Sequence, residues 1–83
     1  MKATEALRKM VKSSGKTALQ ISREIGRKPN YVSSLLHRGS TPTVETFASI
    51  AKACGATLRL EFAGESLELD GWDVEATEDV PIE

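Results

Sequence analysis

Residues 17–39 read TALQISREIGRKPNYVSSLLHRG, and the two glycines inside this stretch decide how it folds. Thr17 is a residue type that caps helix N-termini, and Ala18, Ile21 and Ile25 then recur on one side of a helix of about two turns. Gly26 is placed to end that helix in a left-handed conformation. Only Arg27 and Lys28 separate Gly26 from Pro29. Proline suits the first position of a helix, because its ring fixes φ and the N–H it lacks is not used there. The spacing therefore predicts a second helix from Pro29, with Tyr31, Val32, Leu35 and Leu36 as its apolar positions. Asn30, Ser33, Ser34 and His37 stay polar, and Gly39 is its stop.

Outward from this pair, residues 3–14 place Ala6, Leu7, Met10 and Val11 at helical spacing among charged and hydroxyl residues, and Ser13-Ser14-Gly15 ends the run. On the other side, residues 40–43 read as a loop ending in an N-cap, with Glu45 favourable in the first turn of a further helix. That helix carries Val44, Phe47, Ala48, Ile50, Ala51 and Cys54 on its apolar stripe and closes at Gly55. The period then changes to two. Leu58, Leu60 and Phe62 alternate with polar residues, Ala63-Gly64-Glu65 forms a turn, and Leu67 and Leu69 alternate again, so a β-hairpin is expected. From Glu75 onward the chain reads as an acidic, solvated tail. The expected fold is mainly α: a four-helix unit over 1–56, a β-hairpin element over 57–74 and an acidic flexible tail over 75–83.

Eighty-three residues suffice for one small domain, and 40% hydrophobic with 28% charged residues is ordinary globular composition. No apolar run approaches the roughly 20 residues of a membrane span, and no signal-like stretch opens the chain, so a soluble, cytoplasmic protein without a membrane partner is expected. The single cysteine and single histidine leave neither an internal disulfide nor a histidine-based zinc site. The net charge of -1 conceals a sorting of signs along the chain. All 11 basic residues lie within 1–60, with only Glu5, Glu24 and Glu45 as acids, a balance of 11 - 3 = +8; residues 61–83 hold the other nine acids and no base. A basic body beside an acidic extension suggests binding to a polyanion, although basic residues also coat ordinary solvated surfaces.

Two short helices joined by a tight, glycine-containing turn form a helix-turn-helix unit, here residues 17–38. Around it, Thr17, the run Ile21 to Gly26, Tyr31-Val32-Ser33, Arg38-Gly39-Ser40-Thr41-Pro42, Val44 to Phe47 and Ile50 to Gly55 stand in an order that resembles the Xre-type family of helix-turn-helix regulators, which includes phage repressors, Cro-like proteins and many antitoxins. The resemblance covers roughly residues 3–58. It departs at Ala18, where the family commonly has a phosphate-touching glutamine, at Arg27, where a buried aliphatic residue is common, and at Leu36, where a glutamate is common.

The resemblance puts the base-reading positions at Lys28, Asn30, Tyr31, Ser33 and Ser34. Their chemistry is suitable, since Asn pairs with adenine, Lys reaches guanine acceptors and Ser bonds several base edges; the alternative is a merely solvated helix face, and for Tyr31 packing on the preceding helix. Phosphate contacts are expected from Lys16, Thr17, Arg23, Arg27, His37, Arg38 and Ser40, because cations and hydroxyls make the positioning contacts. Leu58, Leu60, Phe62, Leu67, Leu69 and Trp72 are expected to form a dimer interface, since four short helices cannot cover them all. A lone His37 without a nucleophilic partner argues against an enzyme, and Cys54 reads as a small buried hydrophobe. No phosphate-cradling glycine loop, dinucleotide fingerprint or calcium loop occurs, and neither cofactor nor metal is expected. The reading favours a homodimeric regulator, most simply a repressor, on double-stranded DNA with near-palindromic operators. Its alternatives are an antitoxin whose C-terminal segment binds a toxin protein, and an adaptor that keeps the fold without touching DNA.

Overall fold

Apolar positions from all four helical segments converge on one core in the computed structural model, which describes residues 1–72. The elements are α1 (Ala3–Ser14), α2 (Ala18–Glu24), α3 (Tyr31–Arg38) and α4 (Val44–Ala53), followed by β1 (Leu58–Phe62) and β2 (Glu65–Leu69) in a two-stranded antiparallel sheet. The fold is thus the mainly helical unit with a C-terminal hairpin that the periodicities predict. Leu7 and Val11 of α1, Ile21 and Ile25 at α2, Val32 and Leu35 of α3 and Ile50 of α4 form the buried cluster. Removing each such side chain from water contributes about 1.5–3 kcal/mol. No helix among the described residues is long and apolar enough to cross a membrane. The tail expected over 75–83, and the last two positions of the 57–74 element, lie outside the described residues.

The caps form where the residue types call for them. Thr17 accepts from the Gln20 N–H at 3.1 Å while its own N–H donates to Gln20 Oε1 at 3.0 Å, a reciprocal capping box. At the other end of α2, Gly26 (φ 76°) turns left-handed, which lets Arg27 N–H donate to Ser22 O and Gly26 N–H to Arg23 O at 2.9 and 3.0 Å. These are the two bonds of a Schellman stop.

The start of α3 differs from expectation: the helix begins at Tyr31, not Pro29. Tyr31 N–H donates to Lys28 O at 2.9 Å, closing a four-residue turn with Pro29 at its second position and Asn30 (φ -95°, ψ 8°) at its third. Proline is favoured there for the same fixed φ that favours it at a helix start. Asn30 therefore caps α3 by position only, and its side chain makes no capping hydrogen bond. The cap comes from α2 instead. Ser22 is fully buried, its Oγ–H donates to Ala18 O at 2.8 Å, and its Oγ accepts from Val32 N–H at 2.9 Å. One hydroxyl thus satisfies a free donor in the first turn of α3 and pins α3 to α2.

In the hairpin, Leu58 pairs with Leu69, Leu60 with Leu67 and Phe62 with Glu65, so these residues share one face, while Arg59 with Glu68 and Glu61 with Ser66 share the other. Glu65 is already in the strand, and the turn contracts to Ala63-Gly64. Both have positive φ, 45° and 81°, the signature of a tight hairpin turn whose twist matches that of the strands. Ala63 is the only non-glycine residue with positive φ among those described.

Two outcomes are expected. Ser22→Ala strands the buried Val32 N–H and should cost about 1–3 kcal/mol in urea unfolding; a change within experimental error would mean that α3 does not depend on this bond. Ala63→Asn places a residue tolerant of the left-handed region in the turn and should stabilise the hairpin by roughly 0.5–1 kcal/mol, read as slower hydrogen exchange at the β1 and β2 amides. Faster exchange would contradict the turn geometry.

Candidate nucleic-acid interface

Helical spacing divides α3 into two faces. Val32 and Leu35 go into the core, and the opposite side is left to polar groups. Arg27, Lys28, Asn30, Tyr31, Ser34 and Arg38 line a shallow concavity formed by this side of α3 and the turn that precedes it. Three of the six are cations and none is a carboxylate. Lys28, Asn30 and Arg38 are exposed, whereas Tyr31 and Ser34 are half-buried, with the Tyr31 ring packed against the core.

Arg27 is held from two sides. Its guanidinium lies 4.3 Å from the centroid of the Trp72 ring system and 5.7 Å from that of Tyr31. A cation over an aromatic face contributes roughly 0.5–1 kcal/mol at an exposed site. Stacking occupies the face of the guanidinium and leaves its edge N–H groups for an anion. Arg27 is therefore an exposed arginine whose guanidinium lies over an aromatic ring.

Most of the remaining sequence-expected residues are exposed but do not line this concavity. Ser33 is exposed and donates to Asn30 O at 3.2 Å. Arg38 Nε donates to Ser40 Oγ at 3.3 Å, and His37 is exposed in the last turn of α3. Thr17 and Arg23 are exposed on α2 and its cap.

Lys16 is engaged elsewhere. Its Nζ donates to Glu24 Oε1 at 2.8 Å and to Ala53 O at 2.7 Å, tying the α1–α2 turn to the end of α2 and the last turn of α4. An ammonium with two such partners holds the α1–α2 turn in place rather than standing free for a phosphate. Trp72, expected in the dimer interface, packs on its own helices. Its backbone N–H donates to Ser49 Oγ at 3.0 Å and its indole Nε1–H to Ile25 O at 2.8 Å. Cys54 is half-buried; desolvation pushes its thiol above the ordinary range, partly offset by a hydrogen bond with Ser14 and by the Lys16 charge. A thiol held protonated in this way is a poor nucleophile.

Ser22 and Arg8 contribute without a role expected from the sequence, and Trp72 contributes in a different role from the one expected. Ser22 had a visible signal, since it sits at i+4 from Ala18 on the apolar stripe of α2, where a hydroxyl must find a partner. Arg8 donates to Leu36 O at 2.7 Å and so closes the end of α3 from α1; nothing in its charged surroundings separates it from its neighbours. The role of Trp72 toward Arg27 joins residues 45 apart, a separation that periodicity does not reveal. No protein-family model, curated protein or solved structure matches the chain.

Proposed function

We propose that this chain is a double-stranded DNA-binding regulator, acting as a homodimer with α3 in the major groove. The observation that carries the reading is the concavity at the start of α3, where Arg27, Lys28 and Arg38 surround Asn30, Tyr31 and Ser34 with no carboxylate among them. A phosphate backbone supplies the counter-charge, and base edges supply partners for an amide and hydroxyls projecting from a helix. In this arrangement Arg23, Arg27, Arg38, His37, Thr17 and Ser40 position the duplex, while Lys28, Asn30, Tyr31, Ser33 and Ser34 face the bases. Occupation of an operator excludes other proteins from it, which makes repression the simplest outcome. The reading brings a cytoplasmic location with it.

The hairpin supports the homodimer. Leu60, Phe62 and Leu67 are 50%, 48% and 44% exposed on one sheet face, flanked by half-buried Leu58 and Leu69. The other exposed large apolar residues, Met1, Leu19 and Val44, lie on separate elements. This face is therefore the main apolar surface offered by the described residues, and the complementary surface most directly at hand is its copy on a second chain. An isolated two-stranded hairpin is marginal in water, so pairing also stabilises it. A two-fold dimer sets two recognition helices about one DNA turn apart and calls for a near-palindromic site.

Affinity for duplex DNA should fall steeply with salt, with a log–log slope of several units if roughly 4–8 phosphates are contacted per dimer. A flat response would contradict the reading. On a site selected from random duplexes, Asn30→Ala should cost about 1–3 kcal/mol and relax sequence preference, whereas Arg38→Ala should weaken specific and random DNA alike. Binding of Asn30→Ala equal to wild type would remove α3 from the groove. In sedimentation at micromolar concentration the chain should be a dimer that Phe62→Glu converts to monomer. A wild-type monomer would assign the hairpin face to another apolar partner, as in an antitoxin.

A further inference from the structure

The chain that leaves the hairpin returns to the helix-turn-helix unit. After β2, Gly71 lies so close to α4 that a β-carbon on it would run into the Ser49 backbone. Trp72 follows, with its two N–H groups bonded to the buried Ser49 and to Ile25, the residue that closes α2. The backbone bond fixes where the residue sits, and the indole bond fixes where the ring's Nε1 points. The Arg27 guanidinium rests on the indole, with Tyr31 as a second, more distant ring.

An exposed arginine has several rotatable bonds, and their freedom is lost when it grips a phosphate. Holding the side chain beforehand removes part of that cost. We propose that Trp72 is a positioning residue for nucleic-acid binding: it holds Arg27 at the mouth of the concavity before DNA arrives, so the segment after the hairpin sets the affinity of the helix-turn-helix unit. The proposal rests on the DNA-binding reading, and it assigns Trp72 a role exerted through Arg27 rather than by touching DNA.

The test is a double-mutant cycle on the full chain, with affinity for a duplex carrying its selected site as readout. Trp72→Leu should weaken binding about two- to fivefold, and Trp72→Phe, which keeps a ring, should lose less. In an Arg27→Ala background Trp72→Leu should have almost no further effect, because its route to DNA has been removed. The same loss in both backgrounds would show a structural role and overturn the proposal, as would full affinity of Trp72→Leu. If Trp72 variants do not fold by circular dichroism, the free native chain decides by NMR of its arginine side chains. An Arg27 Nε–H held about as rigidly as the backbone supports the proposal, and one as mobile as that of exposed Arg38 overturns it. Wild-type chain without salt-dependent DNA binding refutes the DNA reading and this coupling together, whereas normal wild-type binding with an additive cycle refutes the coupling alone.

Discussion

The hydrogen bond from Val32 N–H to Ser22 Oγ joins the two helices on which the rest of the molecule depends. Asn30 supplies no side-chain cap, so the first turn of α3 takes its hydrogen-bond partner from α2. That turn is thereby tied to a buried atom in the middle of α2, and Val32 and Leu35 follow into the core beside Ile21. The bond is directional where hydrophobic burial is not. It adds a fixed point to the crossing that Val32 and Leu35 make by packing, and so helps to hold the polar side of α3 outward. Arg8, bonded to Leu36 O, holds the other end of the helix. Both ends of α3 are thus anchored by groups outside it.

Charge is organised around this anchored helix. Lys16 and Glu24 neutralise one another on the far ends of the α2 region, and Arg59 and Glu68 pair on the polar face of the hairpin at 4.0 Å. The cations at the start and end of α3 have no ion-pair partner among the described residues. Surface ion pairs contribute little to stability, so this distribution matters less for folding than for what the surface attracts. The hairpin divides its labour: one face is half-exposed and apolar but for Glu65 beside the turn, while its exit segment runs back to Ser49 and Ile25 and places an indole under Arg27.

Most element boundaries are legible in the sequence because their physics is local. Glycine stops at 26, 39 and 55, hydroxyl caps at 17 and 43, and the switch from helical to alternating periodicity at 57–58 each depend on a few adjacent residues. The first turn of α3 was misplaced by two residues because proline's fixed φ suits the second position of a turn as well as the first of a helix. The hairpin turn was read one residue long because Ala63 gives no sign of the positive φ it adopts. Long-range partnerships were illegible. Lys16 reads as one more surface cation until Ala53 O is brought beside it, and Trp72 reads as part of the strand pattern until the chain turns back at Gly71. For the candidate interface, the residue types of α3 were available from the sequence, whereas their gathering with Arg27 into one concavity required the fold.

On the proposed function, duplex DNA is met by the outward side of α3 and the turn before it. Amide chemical-shift mapping of the full chain during titration with a short duplex tests this residue by residue. The account predicts the largest changes within 27–40, smaller ones at the start of α2, and little change along β1 and β2. Changes concentrated on the hairpin, or spread evenly over the surface with residues 27–40 unmoved, would contradict it.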